Sequence, residues 1–156
     1  MKITCAFIHA TRMALMVGLL LMPSAATHAA PRAYARAGWV AKLSTLAHGV
    51  SGTAEIVDDH TIVLRGFNYD GGGPRVYAYL APTNASAAFE SGLVTVQQLN
   101  RPGNPYVNET ITLTLPTSAT LDGYTAISIW CADFKVNFGS GTFRGQTFVP
   151  TIVRGP

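Results

Sequence analysis

Apolar and polar side chains alternate with a period of two along much of the chain, and Gly, Pro, Asn or Asp break the alternation about every ten residues. That rhythm predicts short, half-buried β-strands joined by turns. The clearest case is "TITLTLP", where Ile111, Leu113 and Leu115 point one way and Thr110, Thr112 and Thr114 the other, with Pro116 as the stop. "GTAEIV" and "TIVLRGF" flank "DDH", which predicts a hairpin with Asp58 and Asp59 at its tip. In "RVYAYLAP", Val76, Ala78 and Leu80 share one face and Tyr77 and Tyr79 the other, after a permissive Gly71-Gly72-Gly73-Pro74 turn. "ASAAFESGLVTVQQL" comes nearest to a helix, yet its second half also fits a strand. The expected fold is all-β, an antiparallel sandwich or barrel-like domain of about eight to ten short strands.

"ISIWCADFKVNFG" departs from this rhythm. Ile127 and Ile129 share a face with Cys131, opposite Ser128 and Trp130. Beyond the cysteine, Phe134, Val136 and Phe138 fall in phase with Trp130, while Asp133 takes the cysteine phase. A straight strand would have to swap its buried face there, so a bulge or a strand crossing between sheets is expected.

Residues 1–29 are read as a secretory leader. Lys2 and Arg12 supply positive charge, "MALMVGLLLM" the apolar stretch and "ATHAA" the small-residue cleavage site, with the cut after Ala29. The uncharged run 13–26 is shorter than the roughly 20 residues that cross a bilayer, so a soluble secreted or periplasmic domain is expected. Residues 30–37 read as a frayed lead-in and 38–156 as the β domain. Cleavage leaves nine Lys/Arg against eight Asp/Glu. No basic stripe remains for nucleic acid.

Cleavage also removes all four methionines and Cys5. Methionine-assisted copper or haem ligation is lost, and Cys131 has no disulfide partner within the chain. There is no CxxC, CxxCH or HExxH, which excludes c-type haem and the common zinc motifs. Non-covalent haem could still use Cys131, His48 or His60. A Cys–His nucleophile is weakly supported, because Asp133 in the cysteine's phase would raise the thiol pKa. From the residues alone, Cys131 is a working thiol, a ligand or a buried core thiol.

"HGVSGTAEIVDDHTIVLRGFNYDGGGPRVYAYL" followed by "YTAISIWCADFKVNFGSG" resembles the Skeletor-type DM-thirteen domain family across residues 38–145. The match runs through His48, Ser51-Gly52-Thr53, Phe67, Gly73-Pro74, Trp130-Cys131 and Phe138-Gly139. Where the family commonly carries an acid after the Gly-Pro turn, this chain has Arg75. The resemblance implies an all-β domain of the kind carried by many exported bacterial proteins, acting in electron transfer or oxidative modification. It places the working role on Cys131, as a naked thiol or a ligand to a group such as haem. His48 and Trp130 become neighbours of interest, and a redox or cell-surface protein the expected partner. The alternative is a non-catalytic β-sandwich that binds a surface glycan or protein, with its tyrosines in contact and Cys131 in the core.

Overall fold

A computed structural model describes residues 34–145 of the 156-residue chain. The expected leader, with Cys5, lies outside the described residues. Among those described, the strands are β1 (Val40–Lys42), β2 (Ser51–Ile56), β3 (Thr61–Tyr69), β4 (Val76–Ala81), β5 (Leu93–Gln98), β6 (Tyr106–Thr114), β7 (Ala126–Cys131) and β8 (Val136–Thr142). One four-residue helix, α1 (Ser86–Phe89), precedes β5. The strands form two four-stranded antiparallel sheets, ordered β1-β2-β3-β6 and β5-β4-β7-β8. The architecture is the sandwich alternative, without a closed barrel. No described helix is long and apolar enough to cross a membrane.

Alternating burial follows the sequence pattern closely. Ile62 and Leu64 of β3, Val76, Ala78 and Leu80 of β4, and Leu113 of β6 meet in the core between the sheets. Strict alternation would then put Phe67 on the wrong face, three positions after Leu64. Gly66 corrects this by taking a left-handed φ of 58°, and the β3–β6 register shifts between Leu64 and Phe67. The extra residue turns Phe67 and Tyr69 inward, where both are buried. Asn68 fastens the bulge, its side-chain oxygen accepting from Asn108 N at 2.9 Å.

The two sheets are stitched along both edges. Beyond β1 the chain runs beside β8: Ser44 N donates to Ser140 O at 2.9 Å, and Leu46 N and Ala47 N to Phe138 O at 3.1 and 2.9 Å. Gly139 and Gly141 permit this approach, because a Cβ on either would fall against the Ser44 or Lys42 carbonyl. On the opposite edge, Gln97 of β5 bonds β6 with both ends of its amide. Its Oε1 accepts from Thr114 N and its Nε2 donates to Thr114 Oγ1, both at 2.7 Å. Each seam satisfies backbone groups that would otherwise be an open sheet edge. The described part of the expected lead-in is anchored: the Arg36 guanidinium donates to Leu121 O at 2.9 Å and Tyr124 O at 2.6 Å.

The apolar phase change after Cys131 comes from a hairpin, accompanied by the expected bulge and without the alternative, a crossing between sheets. β7 ends at Cys131, residues 132–135 turn, and β8 returns antiparallel as a hairpin. Phe134 lies on the turn and is 70% exposed, and Val136 is also exposed. Phe138 is the one of the three that is buried. A bulge accompanies the hairpin: the pairing steps from Ile129↔Gly139 to Trp130↔Asn137, leaving Phe138 as the extra residue. The Asn137 side-chain oxygen accepts from Gly139 N at 3.0 Å and from Ser128 Oγ at 2.8 Å, which holds the bulge and satisfies a buried hydroxyl.

Candidate functional site

Cys131 closes β7, with Val76 opposite it on β4 and Val136 opposite it on β8. Ala132 N continues the β4 pairing by donating to Arg75 O at 2.8 Å. The cysteine has no exposed surface and belongs to the main core cluster with Tyr69, Val76, Tyr106 and Phe138. It is the free cysteine among the described residues. Trp130, one residue earlier, faces the other way. It is 2% exposed on the outer side of the sheet, in a second cluster with Ala81, Phe89 and Ala126. Both faces of β7 are therefore buried, one under the opposite sheet and one beside α1.

Asp133 does not share a strand face with Cys131, because it sits on the hairpin turn. There it is exposed and paired with Arg75, whose Nε donates to Asp133 Oδ1 at 2.5 Å. The basic residue at 75, just before β4, thus has its own acid on the neighbouring β7–β8 turn.

His48 comes from the loop before β2, in a left-handed conformation with φ of 54°. Its carbonyl accepts from Asp70 N at 3.1 Å, and its Nδ1 lies 3.0 and 2.9 Å from the two carboxylate oxygens of Asp70. Asp70 also accepts from Gly72 N at 2.7 Å. Partial burial pushes the Asp70 pKa up, but the Gly72 amide and His48 outweigh it and hold the carboxyl below its usual range. The His48 ring lies against Phe138, centroids 4.1 Å apart, and edge-on to Tyr69 at 6.3 Å. His48 therefore reaches the aromatic side chains of the cluster that also encloses Cys131. His60 is remote from it, at the β2–β3 hairpin tip, with its Nδ1 2.9 Å from Asp59.

Tyr69, Asp70 and Phe138 complete this end of the sandwich. Tyr69 packs against Phe67, Tyr106 and Phe138, and its hydroxyl donates to the Gly72 carbonyl. Burial, then the charges of Asp70, Cys131 and Tyr106, push the phenol pKa well up, so Tyr69 stays protonated. Phe138 was already part of the matched motif. Tyr69 and Asp70 were not singled out from the sequence, although the phase shift at Gly66 marks Tyr69 as inward-facing.

The Asp70 shift makes a pH prediction. A carboxylate with a depressed folded pKa stabilises above its unfolded value, near 3.8, and loses that contribution as pH falls through the folded value. Asp58, held low by His60 N, acts in the same window. Asp70→Asn should therefore flatten the acid limb of stability only in part. For so exposed a pair the change should be no more than about 1 kcal/mol, read by urea unfolding from pH 2.5 to 7.

The described chain is an antiparallel β-sandwich with one thiol turned into its main core and, against Phe138 of the same core, a histidine held by a carboxylate. The chain belongs to the DM13 family: the family model described as "Electron transfer DM13" matches residues 42–143. It is similar to Protein Skeletor of Drosophila melanogaster, 37% identical over 131 residues, for isoforms B/C and for isoforms D/E alike. That alignment covers 80% of this chain, but 16% of isoforms B/C and 8% of isoforms D/E. No solved structure matches.

Among the described residues, no three His, Cys, Asp or Glu side chains gather as a metal cage. Haem ligation by Cys131 does not fit the packing. An axial thiolate must present its sulfur at the wall of an opening, whereas this sulfur has no accessible surface and is enclosed by core side chains.

Proposed function

We propose that this chain is an exported electron-transfer domain whose working atom is the Cys131 sulfur, cycling between the thiol and an oxidised form. Family membership carries the reading, and Cys131 is the residue of the matched Ile-Trp-Cys motif with redox chemistry suited to it. The leader-like residues 1–29 support export into an oxidising compartment, where a lone thiol persists if it is shielded. The core supplies that shield. Burial among apolar side chains slows attack by bulky thiols and disulfides, and it leaves electron tunnelling open. The partner is a redox or cell-surface protein. His48, held by Asp70, is the polar group beside the aromatic cluster where charge could be handled.

A second reading has one observation in its favour. A cysteine with no exposed surface is also what an inert core residue looks like, as in a sandwich that binds a surface glycan or protein through its tyrosines. Thiol labelling and oxidation separate the two. The electron-transfer reading expects a bulky thiol reagent to label the native protein slowly, while a small one-electron oxidant removes the thiol without unfolding. If the thiol outlasts such oxidants until the protein is denatured, the inert reading stands.

A further inference from the structure

We infer that Tyr69 and Tyr106 form the route by which electrons reach and leave Cys131, with the surface at Arg101 as its outer end. The inference rests on the redox reading of Cys131 given above. Tyr69 and Tyr106 are paired across β3 and β6 and stacked, with centroids 5.8 Å apart and planes 15° from parallel. Both belong to the main core cluster, as does Cys131, and Tyr69 packs against Phe138 of β8, the strand that pairs with Cys131. Arg101 lies over the outer ring, its Cζ 3.4 Å from the Tyr106 centroid, and is paired with Glu109. Arg101 is also fixed by backbone, its N donating to Gly71 O at 3.0 Å and its guanidinium to Pro105 O at 3.0 Å.

Among the buried rings of this cluster, which are Phe and Tyr, tyrosine is the one that oxidises readily. Phe67 and Phe138, which flank Tyr69, cannot carry a hole and act as insulation. A buried thiol served by tunnelling needs such stepping stones, because the oxidant stays outside. A one-electron acceptor on a partner protein, docked near Arg101, takes one electron from Tyr106. Tyr106 releases its phenolic proton to solvent as it is oxidised; an electron and a proton then pass to it from Tyr69, and to Tyr69 from Cys131, whose S–H bond breaks. Both phenols end as they began, the sulfur is left as a thiyl radical, one proton goes to solvent and the acceptor is reduced by one electron. A one-electron donor at the same surface, with one proton, reverses the step.

Photogenerated tris(bipyridine)ruthenium(III) serves as the oxidant, with the remaining Cys131 thiol titrated after denaturation and transient absorption recording tyrosyl radical. Tyr69→Phe and Tyr106→Phe keep ring shape, and thermal melts confirm folding. Each should slow Cys131 oxidation about tenfold or more, with Trp130→Phe within about twofold of wild type. Wild-type rates in both tyrosine variants would overturn the route. So would slowing confined to Trp130→Phe, which would move the path to the outer-face rings of Trp130 and Tyr79. A wild-type thiol untouched by the oxidant is a different result: it removes the redox reading and the route together.

Discussion

Trp130→Ala should cost about 3–5 kcal/mol of stability, as expected for emptying a large buried ring site. The ring is 2% exposed and packs near Phe89 and Tyr79, with centroids 6.1 and 6.2 Å away. It covers the outer face of β7 together with α1, a helix of one turn that cannot persist without tertiary packing. Its loss should lower the melting temperature by more than about 10 °C. Cys131 points into the other cluster, so a folded Trp130→Phe should keep the slow thiol labelling of the parent. Rapid native labelling in Trp130→Phe would show that the two faces of β7 are not independent.

Gly139→Val should be the second large effect. A Cβ at Gly139 would run into the Ser44 carbonyl and the Val50 side chain, and the carbonyl cannot move without breaking the seam between β1 and β8. Overpacking of this kind costs about 1–3 kcal/mol, and more where backbone must shift. The loss should be local as well as global. Amide exchange at Ser44, Leu46 and Ala47, which bond to Ser140 and Phe138, should speed up more than exchange in β3. Uniform acceleration would mean that the seam is not a separate element.

Much of the fold was legible because half-buried antiparallel strands carry their own period. Ile111 to Leu115 and Val76 to Leu80 show their faces in the sequence, and "DDH" marks its hairpin tip. The β7–β8 hairpin was not legible, for a physical reason. Its turn, Ala132 to Lys135, contains no Gly, Pro or Asn, and Lys135 itself adopts the left-handed conformation at φ of 53°. With a lone Asp133 as its turn signal, the two strands read as one, and the hairpin went unseen beside the expected bulge.

The site was legible only in pieces. Cys131, His48 and Trp130 stand out as residue types, but which face each takes depends on pairing. The structure sends Trp130 to the outer face and brings the His48 ring against Phe138, on the side of Cys131. Tyr69 and Asp70 reach the same end of the sandwich from the far end of β3, through a bulge at Gly66 and contacts distant in sequence. No local pattern encodes such contacts.

We propose the Cys131 sulfur as the redox centre of this domain. Coulometric titration of the purified protein with small one-electron mediators, beside Cys131→Ala and with melts of both, tests it most directly. A reversible one-electron response is expected from the native parent and none from a folded Cys131→Ala. An identical response from both proteins would contradict it.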